Sequence, residues 1–418
     1  MKKRIDKFIE SKKDEMIKDL SHLIKYESFS KDVKENRACL KTFIEMAQAK
    51  GLTAFTTKNY DTGIIEIGEG KEALGILTHL DVVDTGDLKK WESNPFEAVI
   101  NDNYIYGRGA EDDKGACIMS LYAMEAVKSL NLPFRRKVKL IVGTKEEEEW
   151  TDIESFKKEY PVPDFGFSPD GSFPIYNEEK GYADVILSFK EEGIKELKAG
   201  ESCNTIPSKA MIMLSDGKQI TAEGKGAHSS APEKGDNAIV KLAKELGSMP
   251  KTKNKNFVKF INTLLEDETY GKKLSIGRKN TTAVPTVLSL SDETVKLVIN
   301  IRHEFGTTKE DIERAFEKPA SDYNFTFHIK GYLDPMYVDT KLPFLQEMNK
   351  VHEEYKIKGG FKAAAGSSYA KAMKNFVSWG PVMEDEESTA HMENERLSID
   401  TMILAAKIYA FYIYKMAI

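Results

Sequence analysis

Two hydrophobic rhythms alternate along the chain, and the switches between them mark out its parts. Ile5, Phe8, Ile9, Met16, Ile17, Leu20, Leu23 and Ile24 recur at helical spacing, with a break near Ser11. A second helix is expected over 35–50, stopped by Gly51. Compact apolar runs at 64–67 and 73–77 then predict strands, the second ending just before His79. The stripe of Ile118, Leu121, Tyr122 and Val127 predicts a helix over 114–129, and 138–142 and 165–167 predict further strands. Strand, helix and strand at this spacing predict an α/β domain with a largely covered sheet.

Alternating stretches take over from about residue 184 to 335. Residues 184–189, 209–214, 294–301 and 324–329 read as strands, with helices expected at 236–247 and 308–318, so this part is an α+β module. Long helical patterns return at 343–355 and 389–416, with a strand expected at 376–379 between them. The simplest arrangement is a first domain over 1–184 and 336–418, interrupted by a second over 185–335. No internal repeat or low-complexity tract interrupts this plan.

Composition narrows the function. A chain of 418 residues with 41% apolar positions supports two cored domains. Its net charge of -6 and pI near 5.8 argue against nucleic acid or an anionic membrane as partner. No run of 18 apolar residues offers a membrane span, and the opening MKKRIDKFIESKKDEMIKDLSHLIKY lacks the apolar core of a secretory signal. Cys39, Cys117 and Cys203 lie far apart, as free thiols in a reducing cytoplasm would. Any metal must then be held mainly by histidine and carboxylate.

Such groups cluster just beyond the predicted strands. His79 and Asp81 have the i,i+2 spacing that puts both side chains on one side of an extended strand. A metal-binding imidazole and a carboxylate receiving its other ring proton use that proximity; a strand-end histidine in an ordinary hydrogen bond is the competing reading. Asp112 and Asp113 in IYGRGAEDDKGA stand at a helix mouth, where they either cap the helix or bridge cations. Glu146–Glu149 follow a buried-type strand, where open α/β sheets place their sites, although charge runs are usually solvated faces. One glutamate there can bind metal while its neighbour takes a proton. Asp170 follows another short strand, and His391 precedes the last helix. Together His79, Asp112, Glu147, Asp170 and His391 offer two imidazoles and three carboxylates, a set that suits two zinc or manganese ions sharing Asp112. No spacing rule brings clusters so distant in sequence together.

At these residues the chain resembles the M20 family of metallopeptidases, particularly the cytoplasmic Xaa-His dipeptidases of the PepV type. The resemblance runs over nearly the whole chain, through HLDVVDTGDLKKW with NPF, IYGRGAEDDKG, GTKEEEEW, SPDGSFPIYNEEKG, CNTIPSKA, GKGAHSSAPEKGDNA and GPVMEDEESTAHMENE. It implies a zinc-peptidase-like α/β catalytic domain, a mixed sheet flanked by helices, with an inserted α+β lid domain. It places the metal ligands on His79, Asp112, Glu147, Asp170 and His391, with Asp112 bridging two divalent ions, by default zinc, with manganese or cobalt as alternatives. Asp81 matches the acid that orients His79, and Glu146 the general base. Asn204 and Arg302 match substrate-binding residues, the arginine holding a substrate carboxylate, and His228 matches the residue that stabilises the carbonyl oxygen. The implied activity is hydrolysis of short peptides with a free N-terminus by a metal-activated water. An amidohydrolase acting on N-acyl amino acids and a non-catalytic binding protein on the same scaffold are the alternatives. The resemblance favours a cytoplasmic monomer, with a homodimer through the lid as the other arrangement.

Three departures from the family pattern stand out. AAGSSYAK, around Ala365, Gly366 and Ser367, replaces a glycine-rich GGGTYAR segment, so Lys371 stands where an arginine is usual. Lys145 precedes the paired glutamates, and no proline follows Arg302 in INIRHE. These changes are expected to alter specificity rather than abolish metal binding.

Overall fold

The computed structural model describes residues 1–265, 272–276 and 281–418. The chain divides into two compact units. One comprises Met1–Asn177, Val338–Lys362 and Ser368–Ile418, and the other Glu178–Tyr337 with Ala363–Ser367.

The discontinuous unit is built on a mixed sheet. Its strands run in the order Thr53–Thr56, Gly63–Ile67, Lys137–Gly143, Ala73–His79, Phe165–Ser168, Phe376–Trp379 and Ile175–Glu179. The central pairs are parallel, which places the carboxyl ends of the strands after His79, Gly143 and Ser168 at one edge. The helix Lys114–Lys128 and the helix Ile399–Ala417 are buried almost all round and pack on each other, as interior helices do. At the start, the expected break falls at Lys12, between Lys2–Ser11 and Lys13–Ile24.

Two local expectations fail. The strand before His79 does not stop short of it, because His79 still pairs with Gly143. The helix expected over 389–416 begins only at Ile399. His391 and Asn394 adopt left-handed φ of 63° and 60°, which no α-helix admits. Arg396–Ser398 then forms a strand against Tyr104–Tyr106.

The inserted unit is α+β. Its antiparallel sheet has the order Gln219–Glu223, Lys209–Leu214, Ile194–Ala199, Thr282–Ser291, Thr294–His303, Gly181–Lys190 and Phe325–Leu333. Alternate residues Ala183, Val185, Leu187 and Phe189, with Val295, Leu297, Ile299 and Ile301, share a core with Leu242, Leu246, Phe257 and Ile261 of the helices Ala238–Ser248 and Asn256–Leu264. Period-two burial explains why the even-numbered residues of the same strands fall on the sheet's other face.

Candidate metal centre

The strands Ala73–His79, Lys137–Gly143 and Phe165–Ser168 lead at their carboxyl ends to His79, to Glu146 and Glu147, and to Asp170, while Asp112 comes from the loop before the helix Lys114–Lys128 and His391 from the loop before Arg396–Ser398. His79 ends its strand with 1% exposure. Its Nε2 lies 3.0 Å from Asp112 Oδ1 and 3.9 Å from Asp170 Oδ2. The other oxygen of Asp112 faces His391 Nε2, also at 3.0 Å, and His391 Nε2 is 2.9 Å from Glu147 Oε1. Two donor groups result, His79–Asp112–Asp170 and Asp112–Glu147–His391, each with its atoms within 4.8 Å of one another. Glu146 gathers equally closely with His79 and Glu147.

These atoms fit a pair of divalent cations. His79 Nε2 and Asp112 Oδ1 are buried and make no hydrogen bond, although they face each other. Orphaned polar atoms this deep are costly unless something else binds them, and an ion accepts both. The charges point the same way. Burial disfavours the His79 imidazolium, yet Asp112 and Asp81 outweigh it and hold its pKa well above the usual range. Desolvation pulls His391 down, but Asp112 and Glu147 push it up to about 11. Burial, reinforced by Asp170, Glu147 and Asp112, pushes the Glu146 carboxyl well above the usual carboxylate range, His79 opposing it. The surplus of carboxylates over imidazoles is a demand for positive charge.

A second tier of buried carboxylates holds the loops. Asp81 accepts the N–H groups of Glu146 (3.1 Å) and Glu147 (3.2 Å) and the Ser30 hydroxyl (2.6 Å). Its Oδ1 is 3.4 Å from His79 Nδ1, which also meets the Asp81 carbonyl at 3.0 Å. Asp113 occupies the first position of the helix Lys114–Lys128 without capping it, and instead accepts the His79 N–H at 3.1 Å. The capping reading of this aspartate therefore fails. Of the glutamate run only Glu148 and Glu149 are solvated, and Lys145 pairs with Glu148 at 3.6 Å.

Several supporting groups escape a reading of the sequence. Asp152 accepts the Thr144 and Lys145 N–H groups and the Tyr369 hydroxyl, and the Tyr369 ring meets His79 edge-on at 6.0 Å. Glu395 accepts from Arg108 at 2.7 Å and from the N–H groups of Gly109, Glu111 and Asp112. Glu111 in turn accepts the Ser388 hydroxyl and the Thr389 N–H and hydroxyl. The loop carrying Asp112 and the loop carrying His391 thus anchor each other. The one available signal was the MENE tetrad directly after His391, whose last residue is Glu395.

Asn204, His228 and Arg302 lie in the inserted unit. Thr205 pairs with His228 across a two-residue ladder, so Asn204 and His228 stand at the same end of it. His228 is exposed, and its Nδ1 accepts the Ser230 N–H at 3.2 Å. Arg302 is 7% exposed, with its guanidinium over Tyr182 at 5.5 Å. His303, next to Arg302, is buried and stacks on Tyr332.

Paired donor groups at the strand ends of a mixed sheet are the equipment of a metal-dependent hydrolase. Residues 75–415 match peptidase family M20/M25/M40, and the chain belongs to that family. It is a metallopeptidase dependent on divalent metal ions. The Beta-Ala-Xaa dipeptidase of Lactobacillus delbrueckii subsp. lactis is 30% identical over 462 residues, covering 97% of each chain. Human carnosine dipeptidase 1 shares the fold at TM-score 0.65 and 14% identity, over 100% of this chain and 99% of that one. The dipeptidase Dug1p of Saccharomyces cerevisiae does so at 0.66 and 14%, over 100% and 98%. The fold class expected from the sequence, a mixed-sheet catalytic domain interrupted by an α+β insertion, is the one observed. Among the described residues no helix is long and apolar enough to cross a membrane.

Proposed function

We propose that this chain is a dipeptidase that holds two divalent ions on His79, Asp112, Glu147, Asp170 and His391, with Asp112 between them. One observation supports this most directly: the two oxygens of Asp112 each face a different imidazole at 3.0 Å. Zinc is the assigned ion, since mixed imidazole and carboxylate donors suit it, with manganese and cobalt tested beside it on the stripped protein. Two such ions, when bound, lower the pKa of a water and polarise the scissile carbonyl.

The remaining steps belong to side chains. Asp81 fixes His79 and the backbone under both glutamates. Glu146 takes a proton from the attacking water and returns one to the leaving amine as the C–N bond breaks. His228 donates to the oxygen that becomes negative, and Asn204 binds the substrate. Arg302 pairs with the C-terminal carboxylate, which favours dipeptides over long chains. The assigned state is a monomer, and the assigned setting the cytoplasm, the latter supported by three free cysteines, two of them buried.

Glu146→Ala tests the base. Metal content should be unchanged while turnover of a dipeptide panel falls by roughly 10²–10⁴. Parental turnover with both ions bound would refute the assignment. N-acylated dipeptides run in parallel should be poorer substrates, because a dipeptidase recognises the free amine.

A further inference from the structure

The even-numbered face of the strand Thr294–His303 should be ordinary sheet surface, since its odd-numbered residues fill the core. Instead it buries an asparagine and an arginine: Asn300 is 2% exposed and Arg302 7%. Burying an amide or a guanidinium away from the core needs compensating bonds, and Asn300 supplies them. Its Oδ1 accepts from Arg302 Nε at 3.1 Å and from Ser229 Oγ at 2.8 Å. Its Nδ2 donates to Asp184 Oδ1 at 2.7 Å, across the register pair Asn300–Asp184. The amide orientation is forced, because Arg302 Nε can only donate.

The consequence for Arg302 is specific. Nε is its one hydrogen-bonded guanidinium nitrogen among the described residues, and the guanidinium carbon lies over Tyr182. Both Nη groups are left to the fork that matches a carboxylate with two parallel hydrogen bonds. Asp184, the nearby carboxylate, is held off the fork by its bond to the Asn300 amide. The same amide reaches the ladder that carries Asn204 and His228, because Ser229 follows His228 and its N–H donates to the Asn204 carbonyl at 2.8 Å.

We propose that Asn300 is a positioning residue for substrate specificity: it fixes the Arg302 fork, keeps Asp184 off it, and so sets the preference for a free C-terminal carboxylate. This rests on the reading of Arg302 as the carboxylate receptor. An Arg–carboxylate pair of this kind is worth about 1.5–3 kcal/mol, roughly ten- to hundredfold.

The test compares alanyl-alanine with alanyl-alaninamide on the metal-loaded enzyme. The parent should favour the acid by at least about tenfold in kcat/KM. Asn300→Leu should collapse that preference to within about threefold, mainly through a higher KM for the acid, with kcat changing less. Asn300→Ser, smaller and still polar, should do the same and keeps the test open where the leucine variant does not fold. Folded variants that turn over both substrates more slowly with their ratio intact would show a merely structural role and overturn the proposal. If the parent and Arg302→Met show the same acid-to-amide ratio, the reading of Arg302 fails and the inference with it. If Arg302→Met loses the preference while folded Asn300 variants keep it, only the role of Asn300 is refuted.

Discussion

Asp81 has no exposed surface and serves the Glu146 and Glu147 backbone, Ser30 and His79 at once. An amide in its place turns an acceptor-only group into one that presents N–H to some of these donors. Asp81→Asn should therefore weaken metal affinity about 10–100-fold, read by chelator competition. An affinity within twofold of the parent would show that the loop holds itself. His352 gives a cleaner titration, far from the metal ligands in sequence. Its Nε2 accepts from Trp379 Nε1 at 2.7 Å, and burial alone lowers its pKa from 6.5 to about 4. Between pH 6.5 and 4 the unfolded chain binds this proton and the folded one does not. Stability therefore falls as pH drops through that window, by up to about 3 kcal/mol, and this group adds nothing further below it. His352→Gln keeps an acceptor for the indole without titrating, so its urea-melt stability should lack that part of the acid slope. Identical slopes would exclude His352 as the source.

Reciprocal anchoring of two loops is the main device at the next scale. Glu395 holds Arg108 and three N–H groups of the Asp112 loop, while Glu111 holds the loop of His391. Arg108 is 1% exposed, so Glu395→Ala leaves a buried cation without its partner and should cost about 3–5 kcal/mol in denaturant unfolding. A loss under about 1 kcal/mol would mean that water replaces the carboxylate. Such cross-bonding explains what the sequence hides. Helices and strands with their own periodicity, such as Ala238–Ser248 and Gly181–Lys190, were readable because one-sided burial imprints 3.6- or two-residue spacing. STAHMENERLS carries no such imprint. Its residues are acceptable in a helix, and only the left-handed turns at His391 and Asn394 and the bonds to Glu111 prevent one. His79, Glu147 and Asp170 stood out as ionisable groups at or beyond apolar strands, Asp112 at a helix mouth and His391 ahead of the last helix. Asp152, Glu111 and Glu395 did not, since a carboxylate that bonds backbone N–H groups looks like any surface acid in sequence.

Taken as a whole, the molecule keeps its candidate chemistry unevenly. His79, Asp112, Glu146, Glu147, Asp170 and His391 belong to the discontinuous unit, and Asn204, His228 and Arg302 to the inserted one. A ligand stabilises the part that holds it, by about 4 kcal/mol when free metal exceeds Kd a thousandfold. Stripping the ions should lower the calorimetric transition of the discontinuous unit, leave that of the inserted unit nearly unmoved, and abolish peptidase activity until divalent metal returns. Full activity after exhaustive chelation would end the argument. The strand Phe376–Trp379 has one more consequence, because it lies between Phe165–Ser168 and Ile175–Glu179 although it comes far later in the chain. A ribosome finishes the entire insertion before it makes the strand that fills this gap. Until then the nascent sheet shows a bare edge, a hazard for cells making the protein quickly. The insertion can settle around its own apolar centre meanwhile, and since His391 emerges later still, the donor group Asp112–Glu147–His391 is completed only after that gap is filled.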